Sequence, residues 1–280
     1  MNEQEPYDFY RWMYKFLSGS IIGLSNATLV TPLVNYSNHV IERRGHGGKN
    51  LVNFTCARAF DGALSYNLSF ILRIGVSLPL NSYFLHKLSV YGGVENSHQV
   101  MTSIVAGGAA GAFATLPEAI AQTQQLSSPK PSSLRVIRDA VRCNGLFSLT
   151  RGASAMMVRS AGFTAGYLGF MPMMCESVRQ KIGDHFLADV FSAFVCGLAV
   201  GVITTPFNTL RFKKQEYFTQ KSTVPSYGAL LKSATVARLS VGFLPRTAMY
   251  MFSMWFIAEG NKLCHAFSKD GFPDFPSLGR

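Results

Sequence analysis

Apolar and polar positions along the chain fall into long blocks. The apolar blocks run roughly over 16–41, 62–86, 96–123, 152–175, 190–210 and 239–258, each close to or above the ~20 residues that a helix needs to cross a bilayer. A water-facing amphipathic helix would interleave charges every turn, and these blocks do not. Phe16–Ile41 and Val190–Leu210 contain no Asp, Glu, Lys or Arg, and the third block carries only Glu118. Each even-numbered block holds one charge inside its apolar run, and each time it is an arginine: Arg73, Arg159 or Arg246. Within each pair of blocks lies a polar connector. In these connectors LVNFTCARAF, SLRVIRDAVRC and YGALLKSATVARL place apolar residues at helical spacing with basic residues opposite, the pattern of a helix lying at an interface. The pattern predicts an all-α integral membrane protein with six transmembrane helices and short surface helices on one face.

Internal repetition sharpens this into three copies of one helix-pair unit. Each odd block ends in a proline after small and β-branched residues: NATLVTP at Pro32, GAFATLP at Pro117 and VGVITTP at Pro206, 85 and 89 residues apart. Nine residues before each proline stands a glycine, Gly23, Gly108 or Gly197, with Gly19, Gly111 and Gly201 nearby. The three arginines are 86 and 87 residues apart. A proline late in a membrane helix frees a carbonyl that neighbours must satisfy, and glycines at helical spacing let backbones approach closely. The predicted organisation is an N-terminal tail over 1–11, repeats over 12–95, 96–185 and 186–267, and a C-terminal tail over 268–280, in pseudo-threefold arrangement.

Charge adds a topology. The formal net charge is +11, which in a soluble chain would point to nucleic acid, but residues 42–61, 130–151 and 211–238 hold fifteen of the twenty-six Lys and Arg. That clustering in three connectors is a membrane-orientation signal and argues against a nucleic-acid partner. It places both termini on one face and the basic connectors on the other, where anionic lipid is an expected partner. Cys56, Cys143, Cys175, Cys196 and Cys264 are odd in number and lack CxxC or His pairing, so they read as reduced packing residues with no metal or disulfide role. MNEQEPYDFYRW has neither a signal-peptide core nor a transit pattern, so targeting is expected to be internal. Gly107-Gly108-Ala-Ala-Gly111 lies inside an apolar block without a Walker lysine, and no GxSxG, HExxH, paired-carboxylate or histidine-ligand pattern occurs. No enzymatic activity and no cofactor is expected.

Pro206-Phe-Asn208-Thr-Leu-Arg211-Phe-Lys213-Lys-Gln215 resembles the P-x-[DE]-x-x-[KR]-x-[KR]-x-Q motif of the mitochondrial carriers. Pro117-Glu118-Ala-Ile-Ala-Gln122 and Pro32-Leu-Val34-Asn35-Tyr-Ser37 are more divergent copies. Gly145-Leu-Phe-Ser-Leu-Thr-Arg151-Gly152 resembles the family's G-x-x-x-x-[aromatic]-[KR]-G, with Asp61-Gly62 and Gly242-Phe-Leu-Pro245 as counterparts. The resemblance covers roughly residues 12–265. In the family, acid and base of the proline motif close the cavity on the basic side. Here the acid positions are Val34, Ala119 and Asn208 and the base positions Ser37, Gln122 and Arg211, so no complete pair is expected and closure by hydrogen bonds from Ser37, Gln122, Asn208 and Arg211 is. At the other mouth Cys175-Glu176-Ser-Val-Arg179 and Ala258-Glu259-Gly-Asn-Lys262 resemble the family's [FY]-[DE]-x-x-[KR], whereas Tyr83-Phe84-Leu-His-Lys87 lacks the acid.

An arginine inside an apolar span must face water, a partner or a ligand. Arg73, Arg159 and Arg246 at one period are therefore expected to face a shared axis. The resemblance implies that they contact substrate midway through the membrane. Counting from the glycines gives Arg159 as the second contact point, whereas counting back from Glu176 lands near Gly162 and Phe163 instead. Arginine there resembles carriers of carboxylates or keto acids, and a small residue followed by an apolar one resembles adenine-nucleotide carriers. The implied function is transport of a small anionic metabolite, a phosphate-bearing nucleotide first and a di- or tricarboxylate or keto acid second, by alternating access in a monomer of the mitochondrial inner membrane. The competing reading is a non-transporting, carrier-derived membrane scaffold or insertion factor of the outer membrane; a host mitochondrion, for a carrier-like protein delivered by an intracellular bacterium, is a third context.

Overall fold

The computed structural model describes residues 9–45, 59–92, 96–126, 131–183, 185–216, 225–233 and 242–267. Every regular element among them is a helix. The helices are α1 (Phe9–Gly45), α2 (Ala63–Gly92), α3 (Asn96–Leu126), α4 (Ser133–Asn144), α5 (Ala153–Thr164), α6 (Met171–Ile182), α7 (His185–Glu216), α8 (Tyr227–Ser233) and α9 (Phe243–Phe267). Both predicted tails fall wholly or largely outside the described residues, as does most of the first predicted surface helix, LVNFTCARAF.

Among the described residues, four helices are long and apolar enough to cross a bilayer: Trp12–Asn38, Ala63–Val90, Asn96–Gln125 and His185–Gln215, with mean hydropathies of 1.4, 1.3, 1.4 and 2.2. Large apolar side chains on them, including Ile21, Phe113 and Ile203, are exposed; hydrocarbon solvates such side chains where water would not. The chain is a helical membrane protein. The other two predicted spans are helical but different in kind. Residues 153–182 form α5 and α6 joined by a π-helical stretch, Ala165–Phe170. Helix α9 is 25 residues long and keeps Arg246 and Glu259 among its apolar residues.

The long helices close into a ring. α1 packs on α2, α2 on α3, α3 on α5, α5 and α6 on α7, α7 on α9, and α9 on α1. Each of three seams is made by two glycines one turn apart. A Cβ on Gly23 would stand 2.8 Å from the Phe70 carbonyl oxygen, one on Gly19 3.0 Å from that of Ile74, and one on Gly197 2.6 Å from the Met251 Cα. Gly201 meets Thr247 in the same seam. In the α3–α5 seam the close residues are Gly107, 2.8 Å from the Ser160 carbonyl oxygen, and Gly111, 2.9 Å from that of Met156. Gly108, expected there from its distance to the proline, meets nothing within 4 Å. Neighbouring positions on a helix differ by about 100° around its axis, so only one of two adjacent glycines can face a seam.

Pro32, Pro117 and Pro206 lie inside continuous helices. Hydroxyls reinforce the backbone around them: Thr31 donates to the Ala27 carbonyl at 2.6 Å and Thr205 to the Gly201 carbonyl at 2.5 Å. These carbonyls are one residue before those the prolines free, Thr28 and Val202, so the hydroxyls add bonds beside the break and do not fill it. Of the surface helices, α4 has the predicted two-sided pattern. Ser132 caps it by accepting from the Arg135 amide, and Val136 and Ala140 bury against Ala119 and Ile120 of α3. The third, predicted over YGALLKSATVARL, is described only as Tyr227–Ser233, where Lys214 lies 4.4 Å over the Tyr227 ring.

Gly62, Gly152 and Gly242 introduce α2, α5 and α9, the helices of the second, fourth and sixth apolar blocks, with φ of 70°, 82° and 78°. That backbone region suits glycine. Gly62 also abuts the Ala121 carbonyl, where a Cβ would come to 2.8 Å.

Candidate functional site: four arginines around one carboxylate

Arg73, Arg159 and Arg246 all point into the ring and are buried to within 3% exposure, and Arg211 of α7 joins them at 2%. Their depths differ. Arg246 lies four residues past Gly242, Arg159 seven past Gly152 and Arg73 eleven past Gly62, so each is about one helical turn, ~5 Å, deeper than the last. The even sequence spacing of the arginines therefore conceals a staircase. Phe163, eleven residues past Gly152, stands at the distance that Arg73 keeps from Gly62.

The staircase still converges, because helical side chains lean toward the helix N-terminus. Arg73 on the deepest step leans back toward the start of α2. There the Glu118 carboxylate accepts from Arg73 Nη2 on Oε2 and from Arg159 Nη1 on Oε1, each at 2.5 Å, and Arg211 Nη1 lies 2.5 Å from Oε1 as an ion contact outside hydrogen-bond geometry. Ser69 Oγ donates to Oε2 at 3.3 Å. Arg159 Nη1 also donates to Asn208 Oδ1 at 3.0 Å, and Arg246 Nη2 to Asn38 Oδ1 at 3.2 Å. Arg246 is within electrostatic range of Arg159 and Arg211. Three guanidiniums thus meet one carboxylate, and the fourth, Arg246, is held by Asn38 nearby, leaving three positive charges unmatched within the cluster. Several buried donors make no hydrogen bond among the described residues: Nε of Arg73, Arg211 and Arg246, Nη1 of Arg211, and Nδ2 of Asn208.

Glu118 corrects the expectation that no acid–base pair survives in the proline motifs. It sits one position ahead of the motif's acid position, Ala119, and pairs with Arg211 of the next motif. Its sequence signal was its being the only charge in the third apolar block. The expected hydrogen-bonded closure is otherwise redistributed. Gln122 Nε2 donates to the Phe212 carbonyl at 3.1 Å, and Asn208 accepts from Arg159. Ser37 Oγ is buried without a partner among the described residues. Its neighbour Asn38 takes its place, donating to Gln125 Oε1 at 2.7 Å while accepting from Arg246. Asn35 Nδ2 donates to the carbonyls of Ala59 at 2.8 Å and Asp61 at 3.1 Å, tying α1 to the turn before α2.

The opposite mouth is also regrouped. Arg179 Nη2 donates to Asp189 Oδ1 at 2.9 Å, and Lys262 Nζ reaches the other oxygen of the same carboxylate. Glu259 holds Lys262 at 2.8 Å, and Glu176 accepts from Gln180 at 3.2 Å. Asp189 lies just outside the fifth apolar block, and sequence reasoning passed over it. Between the two mouths, Phe163 packs on Tyr167 and Tyr250 with ring centroids 5.3 and 5.5 Å away, and Tyr167 shares a 2.7 Å hydrogen bond with Ser77. Gly162 faces the α7 seam, where a Cβ would stand 2.9 Å from Thr204 Cγ2. All the long helices contribute to one buried apolar cluster, including Phe70, Phe163, Met171, Val200 and Met254. A groove of about 670 Å³ between α6 and α7, lined by residues such as Phe170, Met174 and Phe191, contains none of the arginines.

No protein-family model matches the chain, and no characterised protein matches it.

Proposed function

We propose that the protein is a six-span, three-repeat carrier of the mitochondrial type that moves a multiply charged anion by alternating access. The observation that carries this reading is the buried cluster in which Arg73, Arg159 and Arg211 contact the carboxylate of Glu118 while Arg246 is bonded to Asn38. Buried guanidinium is costly unless it is paired and hydrogen-bonded, and three unmatched positive charges with unused N–H donors complement an anion carrying two or more charges. Guanidinium forks bind phosphate and carboxylate oxygens bidentately. A phosphate-bearing nucleotide is the first substrate class and a di- or tricarboxylate the second. The recurrence of positive-φ glycines at 62, 152 and 242, 90 residues apart, supports the threefold repeat, and the closed helix ring supports the carrier architecture.

In this reading the basic-face network of Asn38, Gln125, Gln122, Glu118 and Arg211 is one gate, and the Asp189 cluster the other. The assigned membrane is the mitochondrial inner membrane. Uptake by purified protein in liposomes, against nucleotides and di- and tricarboxylates, tests it. Saturable uptake of one class is the expected result, and none across the panel removes the reading. The alternative of a membrane scaffold is favoured by one observation, the single buried apolar cluster to which all the long helices contribute; a scaffold would leave that interior permanently packed.

A further inference from the structure

The geometry points to Glu118 as a built-in counter-anion: its carboxylate occupies the place that Arg73, Arg159 and Arg211 offer to the carboxylate or phosphoryl group of a soluble anion, and the two compete. This inference rests on the anion-transport reading and adds how the empty site is held.

Three features carry it. Both carboxylate oxygens are engaged by guanidiniums from three different helices, α2, α5 and α7. No single helix fixes this arrangement; it is what a free anion between the helices would bring about. Second, Glu118 is 4% exposed and its partners outnumber it. One carboxylate offers about four lone-pair sites, whereas each guanidinium offers five N–H donors. The leftover Nε donors of Arg73, Arg211 and Arg246 are buried without partners among the described residues, so the site is only partly satisfied by its own acid. Third, Glu118 follows Pro117 inside α3, where the lost backbone hydrogen bond makes a local change in helix geometry least costly.

The exchange has a structural consequence. The pairing that holds Arg211 to Glu118 belongs to the basic-face network, and an anion that takes over the guanidiniums removes the α3–α7 ion pair. Binding at the site and loosening of that face are then one event. With Glu118 back in place the empty protein is again internally paired, so it can close without cargo.

The test is thermal stability of the purified full chain, titrated with citrate, pyrophosphate and ATP. Glu118→Gln is expected to melt lower than wild type without anion, because it leaves buried guanidiniums unpaired. With the anion that wild type answers to, it is expected to recover, at a half-saturating concentration about tenfold lower, since its internal competitor is gone; that is the shift about 1.4 kcal/mol of relief would produce. Should Glu118→Gln not fold, Glu118→Asp keeps the charge on a shorter stem, and its half-saturating concentration must fall below that of wild type. Wild-type protein that responds to an anion while the folded variant responds at the same concentration overturns the counter-anion role and leaves the transport reading standing. No response by wild type or variant to any of the three, together with absent uptake, overturns both.

Discussion

Asn208 offers a direct measure of how far the arginine cluster is from electrostatic balance. Its Oδ1 accepts from Arg159 Nη1 at 3.0 Å, while its Nδ2 is buried with no acceptor among the described residues. Asn208→Asp removes that stranded donor, worth about 1–3 kcal/mol, and turns the remaining bond into an ionic one, worth about 1 kcal/mol more than its neutral version. Against this stands the desolvation of a second carboxylate, several kcal/mol in a protein interior. At an effective dielectric constant near 20, a pair of unit charges about 4 Å apart contributes about 4 kcal/mol, and more than one guanidinium is within reach. The balance favours the variant by about 1–2 kcal/mol. For a chain of this size that is a rise in Tm of about 2–6 °C. Asn208→Ala, which removes the acceptor, should lower Tm by a similar amount. The order of stability Asp above Asn above Ala is read from thermal melts in detergent, with uptake measured alongside. Uptake should fall in Asn208→Asp, because the added acid both competes for the guanidiniums and strengthens closure. A lower Tm for Asn208→Asp than for wild type would refute the surplus-charge argument, since it would mean that Glu118 already balances the cluster.

Gly197→Ala should cost about 1–3 kcal/mol by overpacking against the Met251 backbone, while Gly108→Ala, which meets nothing, should be neutral or slightly stabilising; equal melting curves for the two would remove the seam assignment. Arg→Lys at Arg73, Arg159 and Arg246 should reduce uptake less than Arg→Ala, which should cost roughly ten- to a hundredfold in affinity from the loss of about 1.5–3 kcal/mol per charge-assisted contact. Normal uptake by all three alanine variants would refute a central anion site. Asp189→Asn leaves Arg179 and Lys262 without their shared carboxylate and should lower Tm by a few degrees, whereas Glu176→Gln, whose carboxylate meets only Gln180 among the described contacts, should not; equal losses would refute the regrouped mouth. Cys143 in α4 and Cys264 near the end of α9 are free thiols, and in single-cysteine variants an impermeant maleimide should label them from opposite sides of the membrane; labelling from one side would overturn the topology.

Much of this protein is decided locally, and that part is legible in the chain. Block length and the scarcity of charge specify helices in a bilayer, because an unsatisfied backbone is untenable there. Ser132 and the apolar pair Val136 and Ala140 specify α4 from cap and periodicity alone. That Arg73, Arg159 and Arg246 turn inward follows from the cost of a charge in hydrocarbon. What those arginines meet was decided only by the tertiary structure. Glu118 became the hub, in place of the motif position one residue later, because its side chain projects where α2, α5 and α7 converge, and a difference of about 100° around α3 separates it from Ala119. The same rotation chose Gly107 over Gly108 for the α3–α5 seam and Asn38 over Ser37 for the bond to Arg246. The depth of each arginine was likewise hidden, since an 86- or 87-residue spacing counts along the chain, whereas depth is set by where each helix begins, at Gly62, Gly152 and Gly242. Local sequence fixes which residues a helix must turn away from lipid; which partner each one finds depends on the rotation and register of helices packed from distant parts of the chain.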